Sequence, residues 1–96
     1  MNKITEQTIF LHKSKHTYDN QGKFNGSEYC EEQSEADQVC VFLQENAEYP
    51  SSDFDILEEK DFEIKDYKTF EAAYEAAENY TKELQKKYPQ ALQGEY

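Results

Sequence analysis

The segment from residue 69 to residue 89, TFEAAYEAAENYTKELQKKYP, is the longest regular pattern in this chain. Thr69 is a favourable N-cap residue, and Pro89 cannot continue a helix. The apolar residues recur at helical spacing along one face, which is formed by Phe70, Ala73, Tyr74, Ala77, Leu84 and Tyr88. The pattern therefore predicts an amphipathic helix over 69–88, and its apolar face must be covered by another element.

Two segments near the N-terminus have the composition of paired strands. Residues 8–18, TIFLHKSKHTY, are rich in β-branched and aromatic side chains, and the following DNQGKFNG contains the Gly and Asn of a turn. Residues 24–30, FNGSEYC, are expected to return as a short second strand. The aromatic anchors of this predicted hairpin are Phe10, Tyr18, Phe24 and Tyr29.

Residues 34–50, SEADQVCVFLQENAEYP, fit two structures. The run from Val39 to Leu43 is continuously apolar, which is typical of a buried strand. Ser34 and Asp37, however, form an N-cap pair. The residues that recur at helical spacing are Ala36, Val39, Cys40, Leu43 and Ala47. The pattern favours a helix, and residues 34–46 stay open to either interpretation.

Residues 53–66, DFDILEEKDFEIKD, contain seven carboxylates in fourteen residues. Phe54 and Ile56 alternate with acidic residues, and Phe62 and Ile64 do the same. This period of two is typical of strands with one apolar and one polar face. The intervening LEEK is interpreted as a tight reversal, so the segment is predicted to form a second hairpin.

These elements predict an α+β domain in the order β-β-α-β-β-α, with a small antiparallel sheet of about four strands and two helices on one face. A chain of 96 residues fits a single domain over 1–96, in which 1–6 and 90–96 are expected to fray. Ile, Leu, Val and Phe account for only 17 residues, so the eight Tyr and six Phe must supply much of the buried area.

The formal charge of −11 is unevenly distributed, and all ten cations are Lys. Residues 28–66 carry a charge of −12, whereas residues 1–27 carry +2 and residues 67–96 carry −1. Arg, which binds phosphate through a planar fork, is absent. Such an acidic chain repels a phosphate backbone, so direct binding of nucleic acid is not expected.

The sequence also predicts a cytoplasmic protein with no membrane partner. It lacks a continuous apolar run of about 18 residues, and its N-terminus lacks the apolar region of a secretory signal. Cys30 and Cys40 are too few for a disulfide framework, so both are expected to be reduced thiols. Whether they pair stays open.

Neither a metal site nor a catalytic site is predicted. His12 and His16 would lie about 13 Å apart on a strand, too far to share a zinc ion, and the cysteines are not closely spaced. The acidic segment has no Gly at its turn, as a calcium loop requires. With only three Gly there is no phosphate-binding loop, so no cofactor and no enzyme activity are expected.

The concentrated carboxylates have two explanations, because like charges facing each other across a hairpin do not stabilise it. One is solubility, which added Asp and Glu improve. The other is imitation of nucleic-acid phosphates, by which the chain would bind a protein with a basic nucleic-acid-binding surface. The residues predicted to bind that partner are Asp53, Asp55, Glu58, Glu59, Asp61, Glu63 and Asp66, extended by Glu31, Glu32, Glu35 and Asp37, with Tyr49 and Tyr67 as aromatic anchors.

The pattern SEADQVCVFLQEN, with a hydroxyl cap, Glu35-Ala36 and a Cys and a Leu close to an Asn, resembles a helix common in small proteins encoded by phages and mobile elements. The size and acidity of the chain are similar to those of phage inhibitors of restriction and CRISPR enzymes. This resemblance implies a non-enzymatic, stoichiometric inhibitor, and it carries no catalytic residue over. The alternative is a small cytosolic regulator that binds its partner through the helix over 69–88.

Overall fold

The computed structural model describes residues 6–50 and 54–94. The elements are β1 (Gln7–Tyr18), β2 (Phe24–Tyr29), a 3-10 turn (Gln33–Glu35), β3 (Gln38–Glu45), β4 (Ile56–Glu63), α1 (Ile64–Tyr67), α2 (Phe70–Lys87) and β5 (Leu92–Gly94). The predicted α+β class, with an antiparallel sheet and two helices, is confirmed. The predicted order of elements is wrong, because four strands precede both helices.

The sheet has the strand order β2-β1-β3-β4, and neighbouring strands in this order are antiparallel. The predicted N-terminal hairpin is confirmed, with Ser14 paired to Tyr29 and Tyr18 paired to Phe24. The tail was expected to fray from residue 90, but Leu92–Gly94 instead pair in parallel with β1. Strands β2 and β5 therefore share one edge of β1, and β3 occupies the other.

The segment 34–46 contains strand β3 instead of the favoured helix. Val39, Val41 and Leu43 are each 0 % exposed, and Cys40 between them is also buried. A central strand buried on both faces has no alternation of apolar and polar residues, so its sequence resembles that of a buried helix. The β-branched valines favour the strand, and the neighbouring strands decide it by pairing with both of its edges.

The predicted second hairpin is also wrong, because residues 56–63 form the single strand β4 without a reversal. LEEK contains no Gly, Asn or Pro to make a tight turn. The hairpin interpretation places Glu58 and Lys60 in a turn. In the structure they instead occupy strand positions that face α2. Lys87 Nζ lies 2.8 Å from Glu58 Oε2, and Lys60 Nζ lies 5.4 Å from the ring centroid of Tyr80. Helix α2 therefore accommodates both charges.

The hydrophobic core lies between α2 and one face of the sheet. The predicted helix is confirmed: Thr69 Oγ1 accepts a hydrogen bond of 3.1 Å from the backbone N of Ala72, and α2 ends before Pro89. The buried core side chains are Ile9, Val39, Val41, Leu43, Phe62, Ala73, Ala77, Leu84 and Ala91. The small alanines allow close approach of the helix to the sheet. None of the helices within the described ranges has the length and apolar character that crossing a membrane requires.

The opposite face of the sheet, called the second face below, is polar apart from the paired Phe10 and Phe42 and the buried Cys40. Its rows follow from the strand register: His12 pairs with Cys40, which pairs with Asp61, and Ser14 pairs with Gln38, which pairs with Glu63. His16 and Tyr18 continue the row of β1 toward the hairpin end, since side chains alternate between faces along a strand.

Candidate acidic interaction surface

Three carboxylates form a row along β4 on the second face. Glu59, Asp61 and Glu63 alternate with residues of the opposite face, so neighbouring members are about 6.6 Å apart along the strand. Glu59 and Asp61 are exposed, and Glu63 is half-buried. Because β4 is the last strand of the order β2-β1-β3-β4, the row follows an edge of the sheet. Part of the predicted set is thus brought together in one line.

Asp37 lies at the end of this row and is the last member of a second group of carboxylates along the chain. Glu63 pairs with Gln38 at the start of β3, and the backbone N of Ile64 donates a 3.0 Å hydrogen bond to the carbonyl of Asp37. The exposed acidic side chains that precede Asp37 within residues 31–36 are Glu31, Glu32 and Glu35. Below, the acidic surface means Glu31, Glu32, Glu35, Asp37, Glu59, Asp61 and Glu63.

His16 joins the two groups of carboxylates. Its ring Nε2 lies 2.9 Å from Glu63 Oε2, and its backbone N donates a 2.8 Å hydrogen bond to Asp37 Oδ2. His16 therefore contacts one carboxylate from each group, Glu63 through its ring and Asp37 through its backbone N. The sequence does not predict this role of His16, because its proximity to Asp37 and Glu63 depends on the pairing of β1 with β3 and of β3 with β4.

Three of the predicted acidic residues within the described ranges lie elsewhere. Glu58 faces α2, where it accepts hydrogen bonds from Lys87 Nζ at 2.8 Å and from Tyr88 Oη at 3.2 Å. The bond from Lys87 holds the pKa of Glu58 below its usual value. Asp55 and Asp66 are exposed but outside the row, and Asp53 lies outside the described residues. The structure thus engages Glu58 internally instead of presenting it.

The predicted aromatic anchors are only partly exposed. Tyr49 is 43 % exposed with its ring 5.1 Å from that of Phe54, and Tyr67 is 38 % exposed with its ring 6.1 Å from that of Phe62.

The most exposed aromatic side chains within the described residues are Phe24 at 64 % and Tyr18 at 59 %. The sequence reasoning missed them as candidate binding residues because it assigned them to the core of the hairpin. The available signal was the short strand β2, FNGSEY, in which polar residues and Gly follow Phe24 and leave little apolar surface to cover the two rings.

A layer of buried polar side chains lies on the second face, on strands β1 and β3. Gln38 Nε2 donates a 2.7 Å hydrogen bond to Ser14 Oγ, which lies 3.2 Å from Cys40 Sγ. Burial raises the pKa of the Cys40 thiol, and burial lowers the pKa of His12 to about 4, partly opposed by the charge of Asp61. A protonated thiol is a poor nucleophile. The chemistry of this layer is therefore that of a packed interior.

The two cysteines are free thiols, and both are buried. Burial also raises the pKa of Cys30. Across residues 6–50 and 54–94, the structure places no group of three or more His, Cys, Asp or Glu side chains that could hold a metal ion.

The candidate surface therefore consists of aligned carboxylates beside exposed aromatic rings. Comparisons with protein-family models, with curated proteins and with solved structures find no match to this chain.

Proposed function

We propose that this chain is a non-enzymatic acidic binding protein. It acts as a stoichiometric inhibitor that imitates nucleic-acid phosphates and occupies the basic groove of a nucleic-acid-binding enzyme in the cytoplasm, as anti-restriction and anti-CRISPR proteins of phages do. The observation that carries the proposal is the line of carboxylates on the edge strand β4. Neither Glu59 nor Asp61 forms an ion pair with any residue that the structure describes.

Packing of the core does not account for the exposed members of this row, Glu59 and Asp61. Carboxylates on the same face of a strand repel each other, and the core lies on the opposite face of the sheet. Glu58 shows the contrast, because it alternates onto the other face and is neutralised by Lys87. A charge that is paired internally supports the fold, whereas exposed, unpaired charges of one sign are available to a partner.

Two simpler explanations account for less of the arrangement. Solubility depends on net charge and does not require that the acidic excess be confined to residues 28–66. Protection of a sheet edge against aggregation is served by charges of either sign, most often Lys. On the second face of β4, by contrast, the charges at three successive positions are all negative.

The mechanism is electrostatic. A line of negative charge attracts a basic groove over a distance of about one Debye length, which is about 8 Å at physiological salt. Attraction of this kind increases the association rate and weakens as salt rises. Once the groove is occupied, the nucleic acid is excluded from it by competition for the same cations.

Binding through α2 is the alternative, and the packing of α2 makes it less favourable. The apolar face of the helix, with Ala73, Ala77 and Leu84, is already buried against the sheet. A partner would have to bind the outer face, which carries mainly charged residues. Helix-in-groove recognition depends on exposed apolar anchors and is only weakly sensitive to salt.

The test is affinity capture from a bacterial lysate on the immobilised protein at about 50 mM NaCl, followed by a salt gradient, competition with duplex DNA and mass spectrometry. The test variant is E59Q/D61N. The matched control, E75Q/E78Q, removes the same charge from exposed positions of α2.

We expect nucleic-acid-binding proteins to elute as salt rises and to be displaced by DNA. E59Q/D61N should weaken their retention by about threefold to tenfold, because each exposed ion pair contributes up to about 1 kcal/mol, and E75Q/E78Q should not. Equal retention by the two variants, or retention that neither salt nor DNA affects, contradicts the proposed function.

A further inference from the structure

The end of the β1–β2 hairpin presents aromatic rings to solvent. Phe24 and Tyr18 are 64 % and 59 % exposed, and their ring centroids lie 6.4 Å apart. Phe24 also packs edge-on against His16, with the ring centroids 5.2 Å apart. Exposed apolar rings that cluster in this way are typical of interaction sites, because they gain stability only when a partner removes them from water.

A cavity of about 360 Å³ lies beside these rings. His16 and Tyr18 line it together with Asp37 and Glu63. Each carboxylate uses one oxygen to bind His16, Glu63 through Oε2 and Asp37 through Oδ2. Within the part of the chain that the structure describes, Glu63 Oε1 and Asp37 Oδ1 make no hydrogen bond. The cavity therefore combines aromatic side chains with oriented carboxylates that retain acceptor capacity.

We propose that the hairpin end and this cavity form a docking surface for an arginine-bearing segment of the basic partner, with a guanidinium group in the cavity. This inference rests on the proposed function and names the residues that anchor the partner. Guanidinium is planar, stacks on aromatic rings and presents five donors that match carboxylate oxygens. Lysine provides a point charge that cannot stack in this way.

The charges around the cavity determine the sign of the occupant. Asp37 and Glu63 line it, and the exposed acidic residues Glu31, Glu32 and Glu35 precede Asp37 along the chain. The cation that lines it is Lys65, whose side chain is exposed. An anionic ligand is therefore disfavoured. A second copy of the chain does not fit either, because its net charge is −11 and it contains no Arg.

The first experiment titrates the full chain with two probe peptides and follows amide chemical shifts by NMR. The probes are acetyl-Gly-Arg-Gly-Arg-Gly-amide and its Lys counterpart, which have the same charge. We expect shifts at Tyr18, Phe24, Asp37 and Glu63, and an affinity for the Arg peptide at least about threefold higher. Equal affinities, or shifts confined to other regions, overturn the inference.

The second experiment repeats the titration with variants. Y18S/F24S should weaken binding of the Arg peptide by about threefold to tenfold, and the control Y74S, which changes an exposed aromatic residue on α2, should not. K65Q should tighten binding by about twofold, because it removes the neighbouring positive charge, and K82Q should have no such effect. Because K65Q is expected to increase affinity, misfolding cannot imitate its effect.

The capture assay separates failure of this inference from failure of the proposed function. Capture that E59Q/D61N weakens but Y18S/F24S leaves unchanged rejects the docking surface alone. Capture that E59Q/D61N leaves unchanged rejects the proposed function, whatever the peptides show. Loss of capture in both variants, with Y74S unaffected, supports both.

Discussion

His12 lies on the second face, and burial determines the protonation state of its side chain. The side chain is 7 % exposed, and its ring packs 4.8 Å from that of Phe42. Its Nδ1 atom is buried and has no hydrogen-bond partner within the described residues. Burial lowers the pKa of His12 from 6.5 to about 4, so the folded protein holds the imidazole neutral, whereas the unfolded chain readily takes up a proton.

This difference in pKa predicts a loss of stability in acid. The contribution of neutral His12 is complete above pH 6.5 and is lost as the pH falls toward 4. Between pH 7 and pH 4 the free energy of unfolding should fall by about 3 kcal/mol through this group alone. Because Leu cannot titrate, the stability of H12L relative to wild type should rise by about 3 kcal/mol as the pH falls from 7 to 4. Urea unfolding across this pH range measures the effect, and parallel pH profiles would contradict it.

At the scale of elements, the short strand β5 depends on close approach to β1. Gly94 pairs with Phe10, and a Cβ atom at Gly94 would lie 2.5 Å from two ring atoms of Phe10. Phe10 is 3 % exposed, so its ring has little room to move. Only Gly permits this strand to pair at this distance, which explains how a tail without strong strand-forming residues can join the sheet.

The prediction is that G94A destabilises the protein by about 1–3 kcal/mol, because the added methyl group overpacks a buried contact. L92A is the control in the same strand, since Leu92 is 50 % exposed and should change stability by less than about 0.5 kcal/mol. Denaturant unfolding of both variants measures the difference. If they are equally stable, the contact between Gly94 and Phe10 does not hold β5 in place.

At the scale of the whole molecule, the same charge distribution opposes folding and supports the proposed binding. Because the net charge is −11, the acidic side chains repel each other in the compact state. The repulsion is greatest where carboxylates are aligned without counter-charges, as at Glu59 and Asp61 on β4. A basic partner would relieve this repulsion on binding.

Salt should therefore stabilise the isolated protein. Raising NaCl from about 20 to about 500 mM shortens the Debye length from about 20 Å to about 4 Å, which is below the spacing of about 6.6 Å between carboxylates of the row, and should increase the free energy of unfolding by about 1 kcal/mol. E59Q/D61N should reduce this salt dependence more than E75Q/E78Q, because it removes charges from the aligned row. Thermal unfolding at both salt concentrations tests this, and stability that falls as salt is added would disagree with it.

The sequence alone determined the elements whose signals are local. The helix α2 begins at the cap Thr69 and ends before Pro89. The β1–β2 turn is made by Gly22, which has a positive φ, and by Asp19, whose Oδ1 accepts hydrogen bonds from the backbone N of Gln21 and Lys23. The acidic excess of residues 28–66 is likewise evident from the sequence, because it depends only on the number of charged residues in the segment. Caps, turns and charge totals depend on residues a few positions apart, and the chain carries that information wherever it folds.

Only the tertiary structure decided the rest. Residues 38–45 became a strand because both of their faces and both of their edges found partners that are distant in sequence. Glu58 became a structural residue and Glu59 a surface residue because the register of β4 turns the first toward Lys87 and the second away from it. His16 joined Asp37 to Glu63 through strand pairing alone. Burial and electrostatic pairing are properties of position in space, and a one-dimensional pattern does not specify them.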